Sequence, residues 1–185
     1  MDSRVLVCCK SVTGFTRRYA GVIAREAGGT LMDWKDVSAK TAVPYETMVF
    51  GGRFRAGTVD GLKRAKAIAR SSGAALIVFA TGAMPAGAAE MVLRQTWEKN
   101  FTADELDRIP HFYMPGGLCY EKMPLLDRAL MKTFAAMMKR RLKGKEELSE
   151  QDREFVRMIS TSYDLFSEDF ANPLIALLKK TEDGK

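Results

Sequence analysis

Five short apolar runs recur along the chain, and each is followed by a segment whose apolar residues have helical spacing. The run Leu76-Ile77-Val78-Phe79 has no polar residue on either face, which is typical of a strand buried on both sides of a sheet. Such strands in alternation with helices predict a parallel sheet that helices cover on both faces through right-handed crossovers. The predicted strands are residues 4–9, 30–34, 47–51, 75–80 and 110–114.

The helical patterns account for most of the remaining chain. Gly28, Gly29 and Gly73 stand where helices should end, because glycine is a frequent helix terminator. The pattern predicts an α/β domain over residues 1–143 and a helical C-terminal extension over residues 144–185 that packs on the same domain. Residues 143–147 are the best candidate for a hinge between them. The predicted helices are residues 16–27, 59–71, 88–99, 124–143, 149–158 and 174–180.

The turn after the first strand has the composition of a phosphate-binding loop. It reads Ser11-Val12-Thr13-Gly14-Phe15-Thr16. Backbone N–H groups at a helix N-terminus lack partners and favour an anion, and hydroxyl side chains add uncharged donors. The lysine of a nucleoside-triphosphate loop is absent, so the turn suits one terminal phosphate. An ordinary turn with Thr13 as the helix N-cap is the alternative.

A phosphate loop directly after the first strand predicts a doubly wound five-stranded sheet of order 2-1-3-4-5. Its ligand lies beyond the carboxyl ends of the first and third strands. The loops after the third and fourth strands should therefore face the ligand. Phe54 is a candidate to stack on a planar ring, with the protein core as its alternative place. The candidate cofactor-binding residues in these loops are Gly52, Arg53, Phe54, Arg55 and Ala56, and then Thr81, Gly82, Ala83 and Met84.

Composition narrows the class of protein. The chain has 185 residues, enough for one domain with a substantial core, and its formal net charge of +6 favours acidic partners. Three cysteines, an odd number, disfavour a disulfide framework and fit the reducing cytoplasm. A single histidine, His111, excludes a multi-histidine site, and Cys-x-x-Cys is absent, so we expect no metal. No apolar run reaches the roughly 20 residues of a membrane-spanning helix.

These motifs resemble those of the flavodoxin-like FMN-binding proteins over about residues 4–143. Ser11-x-Thr13-Gly14-x-Thr16 is similar to the phosphate loop of that family, and the next two loops fall where its flavin-flanking loops belong. More narrowly, residues 49–57, 116–120 and 126–131 are similar to the flavodoxin-like, menaquinone-linked protoporphyrinogen dehydrogenases of bacteria. The resemblance implies noncovalent FMN and the oxidation of protoporphyrinogen IX with a quinone as acceptor.

Charge bears on which flavin chemistry the chain performs. Cations beside a flavin stabilise its reduced anion and raise its potential, whereas low-potential electron carriers use acidic surroundings. The chain is basic, and Arg53 and Arg55 lie beside the predicted flavin edge, which favours substrate oxidation. The same arginines suit substrate carboxylates. A flavodoxin-type electron-transfer protein and a regulatory or scaffold protein with an empty flavin pocket remain as alternatives.

The predicted helix over residues 124–143 bears on partners. Its apolar residues recur at helical spacing, and its C-terminal part is strongly basic. Such a helix either packs on the sheet or lies on an anionic membrane, here the inner face, where a quinone is within reach. Over the whole chain, acids are interleaved with the bases and no recognised nucleic-acid motif is present, which disfavours nucleic acid. Cys119 and Tyr120, in the preceding loop, join Arg55 as candidates for the substrate mouth. The apolar residues of the helix are Leu126, Leu130, Phe134, Met137 and Met138.

Overall fold

The structure is a computed structural model of the chain, and it describes residues 4–85, 87, 90–143 and 149–183. These residues form eight strands, eight α-helices and one 3-10 helix (Glu168–Ala171). The strands are β1 (Val5–Cys9), β2 (Thr30–Asp33), β3 (Thr47–Arg55), β4 (Thr58–Val59), β5 (Ala75–Gly82), β6 (His111–Pro115), β7 (Gly117–Leu118) and β8 (Tyr163–Asp164). The helices are α1 (Phe15–Glu26), α2 (Ala39–Ala42), α3 (Leu62–Ser72), α4 (Glu90–Asn100), α5 (Ala103–Arg108), α6 (Leu125–Lys143), α7 (Glu150–Ser160) and α8 (Asn172–Asp183).

The central sheet has the strand order β2-β1-β3-β5-β6, and all of these strands are parallel. This confirms the predicted doubly wound α/β fold and its order 2-1-3-4-5, because β5 and β6 are the fourth and fifth parallel strands. The register places Arg53 beside Thr81, and Thr81 beside Met114. The carboxyl ends of β3, β5 and β6 therefore meet at one edge of the sheet.

Apolar residues on the two faces of the sheet form two cores. Along β1, Val5 and Val7 pack against α1 and α8, whereas Leu6 and Cys8 face α3 and α4 on the other side. This follows from the alternation of side chains along a strand. The C-terminal helix α8 belongs to the first core, where its Leu174 is fully buried.

The segment after the third predicted strand is not a loop. Strand β3 continues to Arg55 and turns back through Ala56 and Gly57 into β4, forming an antiparallel hairpin. Both turn residues have positive φ, 49° and 79°, the backbone that matches the twist of a two-residue hairpin. Helix α3 accordingly begins at Leu62, later than predicted, because β4 occupies the residues before it.

Two short helices, α2 and α5, were not predicted from the sequence. Each begins with a capping box, Ser38 with Thr41 and Thr102 with Glu105. The second is a Thr-x-x-Glu signature that could have been recognised in the sequence. The ribbon of β7 and β8 was also not predicted, since each strand has two residues.

Helix α6 lies outside both cores and packs mainly on α7. Its Leu126, Leu130 and Met137 are exposed, so the alternative in which this stripe packs on the sheet is wrong. Within the part of the chain that the structure describes, no helix is long and apolar enough to cross a membrane. The predicted hinge at residues 143–147 lies outside the described residues, apart from the end of α6.

Candidate functional site

The loop between β1 and α1 offers a set of unused backbone donors. Within the described structure, the N–H groups of residues 12–16 donate no hydrogen bond to the protein. Gly14 is the helix N-cap and its φ is 101°, so the alternative with Thr13 as the N-cap is wrong. Ser11 Oγ accepts the N–H of Arg17 at 3.3 Å, which closes the loop. An anion placed there would meet the donors and the positive end of α1.

Thr16 and Thr81 join this loop to the end of β5. Their hydroxyl oxygens are 2.8 Å apart, and both side chains are buried. The contact uses only one of the two O–H protons, so the hydroxyl that accepts keeps its own proton, and Thr16 can offer a phosphate its backbone N–H and, when Thr81 donates, its hydroxyl. The other side-chain donors at the loop are the hydroxyls of Ser11 and Thr13, which are partly exposed.

A cavity of about 180 Å³ opens at the carboxyl edge of the sheet. Residues from all three predicted loops line it, together with residues that follow β6 and others on α6. Its walls are largely apolar, with two arginines and one carboxylate. The lining residues are Thr13, Phe15, Arg53, Phe54, Arg55, Ala56, Thr81, Gly82, Ala83, Gly116, Gly117, Leu118, Met123, Asp127, Leu130 and Met131.

Other predicted site residues lie elsewhere. Ser11, Val12 and Gly14 border a cleft of about 810 Å³ on the β2 side of the loop. Gly52 is buried beneath the hairpin, where a Cβ would come within 2.7 Å of the Asp60 carbonyl oxygen, so it permits close packing. Met84 lies outside the lining of the smaller cavity.

The two predicted substrate residues that follow β7 separate in the structure. Cys119 lines a cleft that adjoins the cavity and shares Thr13, Phe15 and Leu118 with it. Tyr120 instead ties its loop to the end of α7, because its hydroxyl donates to the Ile159 carbonyl at 2.6 Å.

Phe54 packs mainly in the protein core, which the sequence left open as the alternative to stacking on a planar ring. Its ring stacks on Tyr113 with centroids 5.6 Å apart and an interplanar angle of 12°, and it meets the edge of Trp97 at 5.1 Å. The ring also lines the cavity. Because two neighbouring rings already pack on it, Phe54 is a fixed wall of the cavity more than a free stacking surface.

Arg53 and Arg55 share one carboxylate, that of Asp127 on α6. Arg53 Nη2 lies 2.8 Å from Asp127 Oδ2, while Arg55 donates from Nε and Nη2 to Asp127 Oδ1 at 3.1 and 3.0 Å. Arg53 Nε is also 3.6 Å from Asp60, which itself pairs with Lys10 at 2.7 Å. The arginines expected to act as free positive charges are therefore partly neutralised.

The Asp127 carboxylate is stabilised by this arrangement. Only 9% of the residue is exposed, and burial alone would raise its pKa. The hydrogen bonds and positive charges of Arg53 and Arg55 outweigh burial, so its pKa lies below the ordinary value for aspartate. Sequence reasoning gave Asp127 no role, although it is the only acid among residues 125–143.

Tyrosine hydroxyls hold the loops of the site from behind. Tyr113 Oη accepts the Met84 N–H at 3.0 Å and donates to the Met84 carbonyl at 2.7 Å, and burial raises its pKa. Tyr163 donates to the Ala83 carbonyl at 2.6 Å, and burial raises its pKa to about 12. Tyr19 donates to the Pro115 carbonyl at 2.6 Å. The three tyrosines lie outside the motifs, and their role depends on contacts distant in sequence.

The cysteines and the histidine offer little chemistry at the cavity. All three cysteines are free thiols. Burial raises the pKa of Cys8 to about 12 and that of Cys9 to about 11, so neither forms a thiolate readily at neutral pH. His111 begins β6, at the amino end of the sheet, and packs against Trp97 and Phe101.

The loop and the cavity walls suit a flavin mononucleotide in two respects, but the volume of the cavity limits the fit. The unused N–H groups of residues 12–16 suit a phosphate, and the apolar walls suit a planar ring. The cavity, however, is smaller than the roughly 300 Å³ at which ligand pockets usually begin. Met123, Leu130 and Met131 occupy its outer side, and flexible methionines can rearrange at low cost.

Comparison with known proteins assigns the family. A family model described as a flavodoxin domain matches residues 6–145, so the chain belongs to the flavodoxin domain family. Membership implies a flavin cofactor. No curated protein matched the chain.

Solved structures with similar folds have low identity to this chain. A flavodoxin from the domain Archaea is 12% identical, with a TM-score of 0.39, and the match covers 91% of this chain and 96% of that one. Megasphaera elsdenii flavodoxin is 13% identical, with a TM-score of 0.38, over 66% and 89%. The Flv1 flavodiiron core from Synechocystis sp. PCC6803 is 16% identical, with a TM-score of 0.41, over 97% and 36%. At these values the structures add no argument to the family match.

Proposed function

We propose that this protein is an FMN-dependent oxidoreductase that oxidises an apolar substrate bearing carboxylate groups. The observation that carries the proposal is the cavity at the carboxyl edge of the sheet, where an apolar wall, two arginines and the phosphate loop meet. The family match supplies the flavin, and the single-phosphate character of the loop selects FMN.

FMN, when bound, supplies hydride and single-electron chemistry. The chain supplies position and charge. The N–H groups of residues 12–16 and the hydroxyls of Ser11 and Thr13 hold the phosphate. Thr81, Gly82 and Ala83 border the ring with mostly uncharged groups, and Met123 and Met131 exclude water from its outer side.

Charge near the ring supports substrate oxidation, but less strongly than two free arginines would. The cluster contains Lys10, Arg53, Arg55, Asp60 and Asp127, and its net charge is +1. One net positive charge beside the ring still favours the reduced anionic flavin. Because the cluster is partly buried, water screens it less than it screens surface charges.

Arg55 is the residue best placed to bind a substrate carboxylate. Half of its side chain is exposed, whereas Arg53 is more enclosed. A substrate carboxylate would compete with Asp127 for the Arg55 guanidinium, a bidentate partner for either. The resemblance of residues 49–57, 116–120 and 126–131 to the protoporphyrinogen dehydrogenases makes protoporphyrinogen IX the candidate substrate and a quinone the candidate acceptor.

A flavodoxin-type electron carrier is the second candidate, and the neutralisation of Arg53 and Arg55 by Asp127 is the observation that favours it. The midpoint potentials of the bound FMN distinguish the two functions. An oxidoreductase of this kind requires potentials near or above that of free FMN, together with reduction of the flavin by anaerobic protoporphyrinogen IX. Strongly negative potentials and no reduction by the porphyrinogen would overturn the proposal in favour of the carrier.

The role of Arg55 has its own test in the same assay. Arg55→Gln should raise KM for the porphyrinogen about ten-fold with a smaller change in kcat, because one charged hydrogen bond contributes about 1.5 kcal/mol or more. Arg70→Gln, an exposed arginine on α3, serves as the matched control and should leave both constants unchanged. A purified protein that stays colourless and does not quench added FMN fluorescence would instead support the scaffold with an empty pocket.

A further inference from the structure

The cleft of about 810 Å³ beside the loop between β1 and α1 is larger than the cavity proposed for the flavin ring, and the proposed function does not use it. Its volume falls within the range of small-molecule sites, about 300–1,000 Å³. Residues of the loop, the carboxyl end of β2 and the start of α3 line it. The register pairs Cys9 with Asp33, so the ends of β1 and β2 lie at the same level. We call this space the β2 cleft.

The cations of the β2 cleft outnumber its acids. Its one acid, Asp33, pairs with Arg17 at 3.4 Å, and Lys10 pairs with a carboxylate outside the cleft. The remaining cations, Lys35 and Arg64, form no ion pair within the described residues. Two positive charges are therefore left without a counter-charge, which matches the charge of about −2 on a phosphate monoester at neutral pH.

Arg64 is held in a defined position at the start of α3. Its Cζ lies 4.5 Å from the centroid of the Trp34 ring, and its Nη2 donates to the Val37 carbonyl at 2.6 Å. A guanidinium has five N–H donors, so this hydrogen bond leaves most of them for a ligand. A side chain that is already fixed also loses less conformational entropy when it binds an anion.

Asp33 has acceptor capacity left for hydroxyl groups. It is the last residue of β2, and its side chain is 46% exposed. Its two oxygens accept from the Lys35 N–H at 3.3 Å and from Arg17 at 3.4 Å, whereas a carboxylate has about four acceptor positions. Asp33 follows Gly14 by 19 positions. In doubly wound sheets that bind dinucleotides, an acid about 20 residues beyond the glycine-rich loop binds ribose hydroxyls.

We propose that the β2 cleft binds a nucleoside monophosphate, at a site separate from that of the flavin. Asp33 accepts the ribose hydroxyls, and Lys35 and Arg64 bind the phosphate. The cleft and the flavin cavity share no lining residue, so both can be occupied at once. The inference therefore does not rest on the proposed function.

Apolar side chains bound the space for the base. Leu31 is 47% exposed, and Met32 and Trp34 line the cleft with it. Asp33 contacts α1 and Trp34 contacts α3, so the ligand lies across the carboxyl end of β2. Because Arg64 and Phe50 already pack on the Trp34 ring, the base meets an apolar wall and not a pair of stacking rings. We therefore expect little preference among the four common bases.

Calorimetric titration of the FMN-loaded protein tests the proposal directly. The protein receives one equivalent of FMN, is freed of excess, and is titrated with AMP, GMP, CMP, UMP, adenosine or inorganic phosphate. We expect one site with similar affinity for the four nucleotides, at least ten-fold weaker binding of adenosine and phosphate, and no release of FMN. Binding of no nucleotide, or of phosphate as tightly as AMP, would overturn the proposal.

Release of FMN by AMP would also overturn it, because the nucleotide would then occupy the loop that is proposed for the cofactor. The same titration of the protein without FMN should give the same affinities. A failure of the proposed flavin chemistry therefore leaves this test unchanged.

The ribose contact has a test of its own. The parent protein should bind AMP about ten-fold more tightly than 2′,3′-dideoxyadenosine monophosphate, since hydrogen bonds to a charged group contribute most. Asp33→Ala should remove this preference, and Asp36→Ala, an exposed acid outside the cleft, should keep it. A preference that persists in Asp33→Ala would overturn the assignment of the ribose.

The phosphate contact is tested by charge. Lys35→Gln with Arg64→Gln should weaken AMP binding by about ten-fold or more. The matched control is Lys40→Gln with Arg70→Gln, two exposed cations outside the cleft, and it should bind as the parent does. Lys35→Gln alone replaces an exposed side chain, should keep the parent melting temperature, and should still weaken binding. Variants that bind AMP as tightly as the control would overturn the proposal.

Discussion

The loop between β1 and α1 and helix α6 are two walls of one cavity, but they are held in place by different contacts. Buried strands support the loop, and the Thr16–Thr81 hydroxyl pair and the Tyr19 hydroxyl fix its neighbours. Helix α6 packs mainly on α7 and reaches the hairpin through the single carboxylate of Asp127. The loop side is thus built into the core, whereas α6 lies outside both cores and, among the described residues, is paired with the hairpin through the Asp127 carboxylate.

Because of this difference, the two walls suit two different tasks, which are to hold a cofactor and to admit a substrate. A cofactor that must be held at a constant position needs the rigid wall, since its donors have to stay preorganised. A substrate that must enter and leave needs a wall that can move, and segments with few buried apolar contacts open most easily. We therefore propose that the cofactor binds at the sheet edge and that the substrate enters beside α6.

Asp127→Asn should have the largest effect among the variants that test this comparison. The change leaves Arg53 and Arg55 without a counter-charge and should lower the free energy of unfolding by about 2 kcal/mol, less than for a fully buried pair because Arg55 is half exposed. Urea denaturation measures this change. The removal of the negative charge should also raise the potential of bound FMN.

Asp36→Asn is the control for that experiment, because Asp36 is exposed and has no ion pair within the described residues. It should change stability by less than about 0.5 kcal/mol. An Asp127→Asn variant as stable as Asp36→Asn would show that the arginine cluster does not hold α6.

Thr16→Val should have the next largest effect, on the rigid wall. The change leaves the buried Thr81 hydroxyl without its partner, at a cost of about 1–2 kcal/mol in unfolding free energy. The double variant with Thr81→Val removes both hydroxyls and should recover most of the loss. Additive losses in the double-mutant cycle would contradict the pairing.

The smallest expected effect is the pH dependence of the stability that Asp127 contributes. The pKa of Asp127 is lowered in the folded protein, so its contribution to stability is complete above its unfolded pKa of about 3.9 and is lost as the pH falls through the folded value. The stability difference between the parent protein and Asp127→Asn should be constant from pH 5 to 7 and shrink below about pH 4. A difference that grows on acidification would contradict the lowered pKa.

The sequence predicted the sheet and the loop between β1 and α1 much better than it predicted the surroundings of α6. Continuous apolar runs and the Ser-x-Thr-Gly-x-Thr turn are local patterns, so the sheet order and the position of the loop followed from them. The pairing of Thr16 with Thr81 joins residues 65 positions apart, and no local pattern records it.

Three other features depend on tertiary contacts. The hairpin at Ala56 and Gly57 was missed because its turn lacks the usual Asn-Gly signature. Asp127 was missed because its partners lie 72 and 74 residues away. The exposure of the α6 stripe could not be predicted, because helical spacing shows that apolar residues share a side and not what covers it.

The central claim is that the loop at residues 11–16 binds the phosphate of FMN, and paired titrations with FMN and riboflavin test it most directly. Riboflavin has the same ring without the phosphate. We predict that FMN fluorescence is quenched on binding and that riboflavin binds at least 100-fold more weakly, since the phosphate engages the unused N–H groups and the positive end of α1. Equal affinity for the two flavins would contradict the claim.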